Sequence, residues 1–178
     1  MKKSILCTLA ILGFMSLNAQ KNVVKVNPVG LIFGSAQLGY ERVLTDKSAI
    51  EISASYTRLD VTFDNSTSQT DINGFGAEGK YKLYFSSSKD APRGWYAAPL
   101  VNYSNISGDS GDSEGSVSIF GAGAVAGYQW VFGRNNSGFS LDLNLGAQYA
   151  SISTDGNITS TDVDSVIPRL GIAIGYAF

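Results

Sequence analysis

Large apolar residues alternate with small or polar residues along most of the chain after residue 22. The alternation is most regular where Leu141, Leu143 and Leu145 share one face and Asp142 and Asn144 share the other. A period of two residues predicts β-strands, and segments of about ten residues are typical of strands that cross an outer membrane. Eight such segments are predicted, at about Val23–Phe33, Ala36–Leu44, Ala49–Leu59, Phe75–Phe85, Trp95–Tyr103, Ser118–Phe132, Phe139–Ile152 and Ile167–Phe178.

Aromatic residues lie near the ends of several segments, and the face opposite the apolar one is small or polar. A soluble sandwich can alternate in the same way with its apolar face inward, but aromatic girdles and a narrow polar interior are typical of a membrane barrel. We therefore predict an all-β fold: an eight-stranded antiparallel up-and-down transmembrane β-barrel with a side-chain-filled lumen. The predicted girdle consists of Trp95, Tyr128, Trp130, Phe132, Phe139 and Tyr149.

The connections differ in length in the way that outer-membrane barrels require. Three long stretches rich in Ser, Asp, Asn, Thr and Gly follow odd-numbered segments, at Thr62–Gly74, Ser104–Gly115 and Ser153–Ser165. Because such residues favour turns, we predict long extracellular loops there and both termini on the periplasmic side. The first connection after an odd-numbered segment, near Gly34 and Ser35, is predicted to be tight and is the exception, so three of the four fit.

The first residues have the composition of a secretory signal peptide. Lys2 and Lys3 precede the apolar stretch Ile5–Leu17, and Ala19 is a small residue near which cleavage is expected. The apolar stretch is too short for a transmembrane helix. We predict a signal peptide at residues 1–19, a single barrel domain at 20–178, and the bacterial outer membrane as the location.

The composition excludes several classes of function. The chain has no His, which removes Ser-His-Asp triads, His-dependent acid–base chemistry and histidine metal sites. Two of the 13 basic residues lie in the predicted signal peptide, so the mature chain has 11 basic and 15 acidic residues. This negative net charge argues against nucleic acid as a partner. The single cysteine, Cys7, lies in the signal, so no disulfide is expected. We predict no catalytic residue, cofactor or metal site; calcium binding at Asp109–Glu114 is the alternative to a solvated loop there.

The chain ends on a strand whose apolar face runs from Leu170 to Phe178, with glycines and alanines on the other face. We predict that the apolar face contacts lipid. Tyr176 and Phe178 are predicted to form a C-terminal signal that resembles those recognised by the barrel assembly machinery. Outer-membrane lipid and that machinery are therefore the predicted partners.

Several charged residues fall on the faces assigned to the lumen. Buried charges persist chiefly when they are paired, so a mutually neutralising network is the main hypothesis, and a proton relay or ligand site is the alternative. If the barrel closes, Arg169 neighbours Asp142 on the seventh segment and Lys25 on the first, which predicts an Arg169–Asp142 pair. The four acids and four bases are Lys25, Glu41, Glu51, Glu78, Lys80, Lys82, Asp142 and Arg169.

Five stretches carry a resemblance to a known family: VKVNPVGLIFGSAQLGYERVL, KYKLYF, GWYAAPLV, GYQWVF and LDLNLGAQYA. They resemble small barrels from Bacteroidetes-type bacteria, a family of outer-membrane proteins of unknown function. The likeness covers essentially the whole mature chain. It implies the fold and the location only, and it implies no catalytic or binding residues.

The sequence leaves three functional hypotheses. The first is a non-enzymatic outer-membrane barrel with a structural or surface-interaction role, which presents its extracellular loops. The second is a soluble periplasmic β-barrel that binds an apolar ligand, which requires the apolar faces to point inward. The third is an outer-membrane lipid-modifying enzyme, which the absence of His disfavours.

Overall fold

A computed structural model describes residues 22–62, 69–109, 114–133, 137–156 and 163–178. Within these residues, eight antiparallel strands follow one another in chain order around a single closed barrel, and the last strand returns to the first. The predicted signal peptide lies outside the described residues. The elements are β1 (Asn22–Val26), α1 (Pro28–Ile32), β2 (Ser35–Thr45), β3 (Ser48–Thr62), β4 (Gln69–Tyr84), β5 (Gly94–Asp109), β6 (Glu114–Phe132), β7 (Gly138–Gly156) and β8 (Val163–Ala177).

The alternation of apolar and polar residues in the sequence corresponds to side chains that point alternately to the outside and to the lumen of the barrel. On β7, Leu145 points outward with 61% of its surface exposed, whereas Asp142 and Gln148 point into the lumen and are buried. On β8, Leu170 is 76% exposed on the outer face. The predicted all-β, eight-stranded antiparallel barrel is therefore confirmed. Among the described residues, no helix has the length and hydropathy to cross a bilayer.

The first predicted strand is interrupted by a helix. β1 ends at Val26, and the prediction of a strand as far as Phe33 is wrong. Asn27 caps α1, since its side-chain oxygen accepts hydrogen bonds of 3.0 Å from the backbone N–H groups of Val29 and Gly30. Pro28 stands in the first turn, where its fixed φ favours a helix and its missing N–H costs nothing.

The stretches predicted as long loops are largely strand. β4 begins at Gln69, β7 ends at Gly156 and β8 begins at Val163, so the hairpins at this end extend well beyond the predicted segments. Backbone pairing between opposite strands holds these polar residues in the sheet, for example where Gly115 lies opposite Gly156. The residues that join the hairpins, 63–68, 110–113 and 157–162, lie outside the described residues, and so does most of the candidate calcium segment.

The two ends of the barrel differ. At the end that carries Asn22 and Phe178, hereafter the terminal end, the β4–β5 connection folds over the lumen and buries Ala91 and Pro92. The backbone N–H of Ala91 donates a 2.8 Å hydrogen bond to the carbonyl oxygen of Asp46 in the neighbouring turn. Further buried apolar residues, Val23, Val131 and Ala177, form a second cluster at this end. The lumen is therefore closed by protein at the terminal end.

The middle of the lumen is narrow. Gly127 on β6 lets the Tyr96 ring approach the barrel wall, because a Cβ atom at Gly127 would lie 2.7 Å from the end of that ring. The rings of Tyr96 and Tyr84 pack at 5.5 Å between centroids. An eight-stranded barrel has an interior that side chains can fill, and these two rings fill much of this one.

Candidate functional site

Two buried lysines stand at the centre of the lumen, each facing several carboxylates. Lys25 projects from β1 and Lys82 from β4, and both are almost completely buried. The Nζ atom of Lys25 lies 2.7 Å from Glu51 and 2.8 Å from Asp142, and it also bonds Glu41. Because β1, β2, β3 and β7 each contribute one of these groups, the ion pairs join four strands of the barrel.

Lys82 faces the same three carboxylates. Its Nζ atom lies 3.0 Å from Glu41, 2.7 Å from Glu51 and 2.6 Å from Asp142. The amide oxygen of Gln129 accepts from Lys82 at 3.0 Å and from Lys25 at 2.8 Å. The lysines therefore share one set of acceptors, and the charge of each is balanced within the lumen.

Two tyrosines complete this buried centre. The hydroxyl of Tyr84 donates to Glu41 at 2.7 Å, and the hydroxyl of Tyr96 donates to Asp142 at 2.6 Å. The Nζ atom of Lys82 lies 4.4 Å from the centroid of the Tyr96 ring, a cation–π distance. Hydrogen bonds to ionised groups are stronger than neutral ones, so these hydroxyls help to stabilise the buried carboxylates.

A second group of charges continues the network toward the other end, hereafter the far end. Lys80 lies 3.1 Å from Glu51 and 2.8 Å from Glu78. Arg169 on β8 reaches across the lumen to pair with Glu78, and it donates to the Gln148 amide oxygen at 2.7 Å. All eight charged residues assigned to the lumen from the sequence thus lie in one continuous chain of ion pairs.

The predicted pair between Arg169 and Asp142 is wrong. Arg169 lies opposite Gly146 in the register of β7 and β8, four residues farther from the terminal end than Asp142. That offset is about 13 Å along the strand at the usual rise per residue. The predicted neighbour Lys25 lies opposite Gly175, so it too is displaced from Arg169 toward the terminal end. The stagger of the strands thus gives Arg169 another partner.

The three central carboxylates have the donor chemistry of a site for a hard cation. One oxygen each from Glu41, Glu51 and Asp142 lie within 4.8 Å of one another, and carboxylate oxygens are the ligands that calcium and magnesium prefer. The Lys25 and Lys82 ammonium groups, however, already contact all three. The arrangement therefore satisfies its own charges, which suits a structural plug better than a metal centre.

Aromatic side chains form two groups on the outer surface. At the terminal end, Trp95 and Tyr128 pack edge to face with 5.1 Å between centroids, and Tyr128 lies 4.4 Å from Trp130. Of the predicted girdle, only Tyr149 lies toward the far end. Toward the far end it is accompanied by four aromatic residues that the sequence reasoning missed, Tyr56, Phe75, Tyr103 and Phe120. The terminal group contains Trp95, Tyr128, Trp130, Phe132, Phe139 and Tyr176.

The end of the chain takes part in closing the barrel. The backbone N–H of Phe178 donates to the Asn22 carbonyl at 2.8 Å, and that of Asn22 donates to the Phe178 carbonyl at 2.9 Å. The side chains of Tyr176 and Phe178 are 57% and 45% exposed on the outer surface. Both side chains are thus accessible in the folded barrel, and their role as an assembly signal stays a prediction.

The comparison with known proteins gives a family and no activity. No curated protein matches the chain. The resemblance to small barrels of Bacteroidetes-type bacteria stays a prediction as far as the organism group is concerned. A family model described as "Protein of unknown function (DUF3575)" matches residues 5–165. The predicted membership in a family of unknown function is confirmed, and the chain belongs to this family.

Proposed function

We propose that this protein is a non-enzymatic outer-membrane barrel with a sealed lumen and a structural or surface-interaction role. The observation that carries the proposal is the inversion of polarity between its two faces. Large apolar side chains such as Leu145 and Leu170 lie exposed on the outer wall, while the ionic network occupies the interior. Outer-membrane barrels have this arrangement, with an apolar band outside and a polar interior.

The spacing of the two aromatic groups supports a bilayer around the wall. Trp95 and Tyr103 are eight residues apart on β5, and Phe139 and Tyr149 are ten residues apart on β7. With about 3.3 Å per residue and a strand tilt of about 40°, these separations span about 20–25 Å along the barrel axis. The apolar band of such barrels is about 25 Å tall. The outward-facing residues next beyond the far aromatic group are polar, as expected for residues in water, and include Arg58, Asn105, Ser118 and Ser153.

The inward orientation of the charges argues against a soluble barrel that binds an apolar ligand. Such a barrel requires the apolar faces inside, whereas Lys25, Lys82 and Asp142 occupy the interior here. The paired state of the carboxylates also argues against a lipid-modifying enzyme, because a general base or nucleophile must be available to the substrate. The proposed role is therefore mechanical or adhesive, with the far ends of the hairpins outside the cell.

Cell fractionation tests the proposed location. We expect the protein in the outer-membrane fraction, resistant to extraction by carbonate, with a gel mobility that changes when the sample is boiled. A soluble periplasmic protein of the same size serves as the extraction control. Recovery of the folded protein in the soluble periplasm without detergent would refute the proposed membrane location.

Conduction measurements test the sealed lumen. We expect no large, steady single-channel current from the protein in planar bilayers, because side chains fill an eight-stranded barrel and open channels need about sixteen strands. The burial of Ala91 and Tyr96 closes the lumen at two levels. A sixteen-stranded porin measured in the same bilayers is the positive control. Steady porin-sized currents from the monomer would contradict the sealed lumen.

A further inference from the structure

The barrel wall is incomplete toward the far end. β1 pairs with β8 over only four positions, Val23–Val26 with Ile174–Ala177. Among the described strands, β7 alone pairs with the remainder of β8, from Val163 to Ala173. Pro168 lies in this stretch, and proline within a strand is typical of an edge because it lacks an N–H to donate. Most of the last strand, 11 of its 15 residues, is thus an edge strand.

The opposite margin of the gap is formed by β2. Its first residues, Ser35–Gln37, pair with β3, but the β1 partner positions begin only at Leu38. Instead of a continued β1, the short helix α1 occupies this place and contacts β2 and, less extensively, β8. The wall therefore has a gap in its strand pairing between β2 and β8, hereafter the side opening, and α1 lies at this gap.

A polar cavity of about 280 Å³ lies behind this opening. Its lining includes Ser35 and Gln37 from β2 and Ile167 and Arg169 from β8, together with residues of β3 to β7. The cavity is therefore the far part of the lumen, and it reaches both margins of the gap. Ile167 belongs to the inward-facing set of β8 and is nevertheless 37% exposed beside the gap. The cavity thus lies beside the gap, above the ionic plug.

The outer margin of the opening is apolar. A groove of about 380 Å³ lies against it, lined chiefly by Val26, Leu31, Leu38 and Tyr56. On the other margin, Leu170 is 76% exposed. Two further apolar side chains of the α1 segment, Ile32 and Phe33, are 78% and 68% exposed. Polar groups inside and apolar groups outside thus meet at one opening.

We propose that this side opening binds an amphiphile from the surrounding membrane, with its headgroup in the cavity and its alkyl chain along the apolar groove. The proposal rests on the proposed membrane location. The two charged residues that line the cavity, Glu78 and Arg169, already pair with each other. The other polar lining groups are hydroxyls and amides, including Ser104 and Gln148. Such groups satisfy an uncharged, hydroxyl-rich headgroup without a new buried charge.

Photolabelling in lipid vesicles tests the site. The probe is dodecyl maltoside that carries a diazirine in its alkyl chain, applied to the protein in phosphatidylcholine vesicles. We expect saturable labelling concentrated in residues 27–38 and 164–173, the two margins of the opening. Unlabelled dodecyl maltoside is expected to compete about tenfold better than dodecyl phosphate, equivalent to about 1.4 kcal/mol of preference for the uncharged headgroup. Better competition by dodecyl phosphate would contradict that preference.

Two variants and a matched control give the test its specificity. Ser104→Trp places a large side chain in the cavity, and Leu31→Asn makes the groove polar at a position that is 59% exposed. Each is expected to reduce the labelling about tenfold, because a clash or a polar group opposes the bound amphiphile. Ala124→Trp adds the same bulk as Ser104→Trp, but on the outer face of β6 away from the opening, and is expected to leave labelling unchanged.

The possible results distinguish a failure of the side-opening site from a failure of the proposed membrane location. A vesicle-embedded barrel that is labelled evenly around its wall, or equally in Leu31→Asn and the unaltered protein, would refute the side-opening site alone. Failure of the folded protein to enter vesicles at all would refute the membrane location on which the site rests. Leu31→Asn keeps the comparison valid if Ser104→Trp does not fold, since Leu31 lies on the surface.

Discussion

Replacing Lys82 with methionine is expected to lower the free energy of unfolding by about 3–5 kcal/mol, because removal of one partner leaves buried charge uncompensated. Lys82 is completely buried and contacts Glu41, Glu51 and Asp142 within 3.0 Å. Without it, three carboxylates crowd around Lys25, and the hydrogen bonds that they accept from Lys82 are lost. Denaturant unfolding in detergent micelles, followed by tryptophan fluorescence, measures the change.

A surface lysine provides the matched control. Lys47 lies 3.5 Å from Asp90, and about half of each side chain is exposed. Lys47→Met is expected to cost no more than about 1 kcal/mol, since exposed ion pairs contribute little. Adding Glu41→Gln to Lys82→Met restores the charge balance and is expected to recover at least about 1 kcal/mol as coupling between the two sites. Equal losses for Lys82→Met and Lys47→Met would show that the network does not stabilise the fold.

The strand alternation is readable from sequence because the barrel has two environments and each residue faces one of them. The same alternation does not report the height of a residue along the axis. Arg169 faces the lumen, yet its partner is Glu78 on β4 and not Asp142 on the adjacent strand. The choice of partner depends on how far the strands are staggered along the barrel axis. This stagger is set by the register of all eight strands, and no short stretch of the sequence reveals it.

Local signals explain some of the remaining differences. Asn27 followed by Pro28 is a recognisable start of a helix, and it accounts for the end of β1 at Val26. The polar residues of the far hairpins favour turns in isolation, but long-range pairing overrides that preference. From the sequence, Gln129 can be recognised only as a polar residue on an inward face. Its role as a shared acceptor for two lysines becomes apparent only in the folded lumen.

Replacing Leu145 with lysine is expected to distinguish a membrane wall from a water-exposed wall. Leu145 lies near the middle of the span from Phe139 to Tyr149 on β7, and it is 61% exposed in the isolated barrel. In water, a lysine at such an exposed position costs little, because it removes few packing contacts. At the midplane of a bilayer, the same lysine is expected to cost about 2–4 kcal/mol.

The matched control for this substitution is Ser153→Lys. Ser153 lies on the outer face of the same strand, four residues beyond Tyr149 and thus outside the proposed apolar band. It is expected to cost about 0–1 kcal/mol, because the penalty for a cation falls toward the interface. Both variants are unfolded by denaturant in phosphatidylcholine vesicles and compared with the unaltered protein. A penalty for Leu145→Lys no larger than that for Ser153→Lys would mean that this face does not contact lipid, since depth in a bilayer is the physical difference between the two positions.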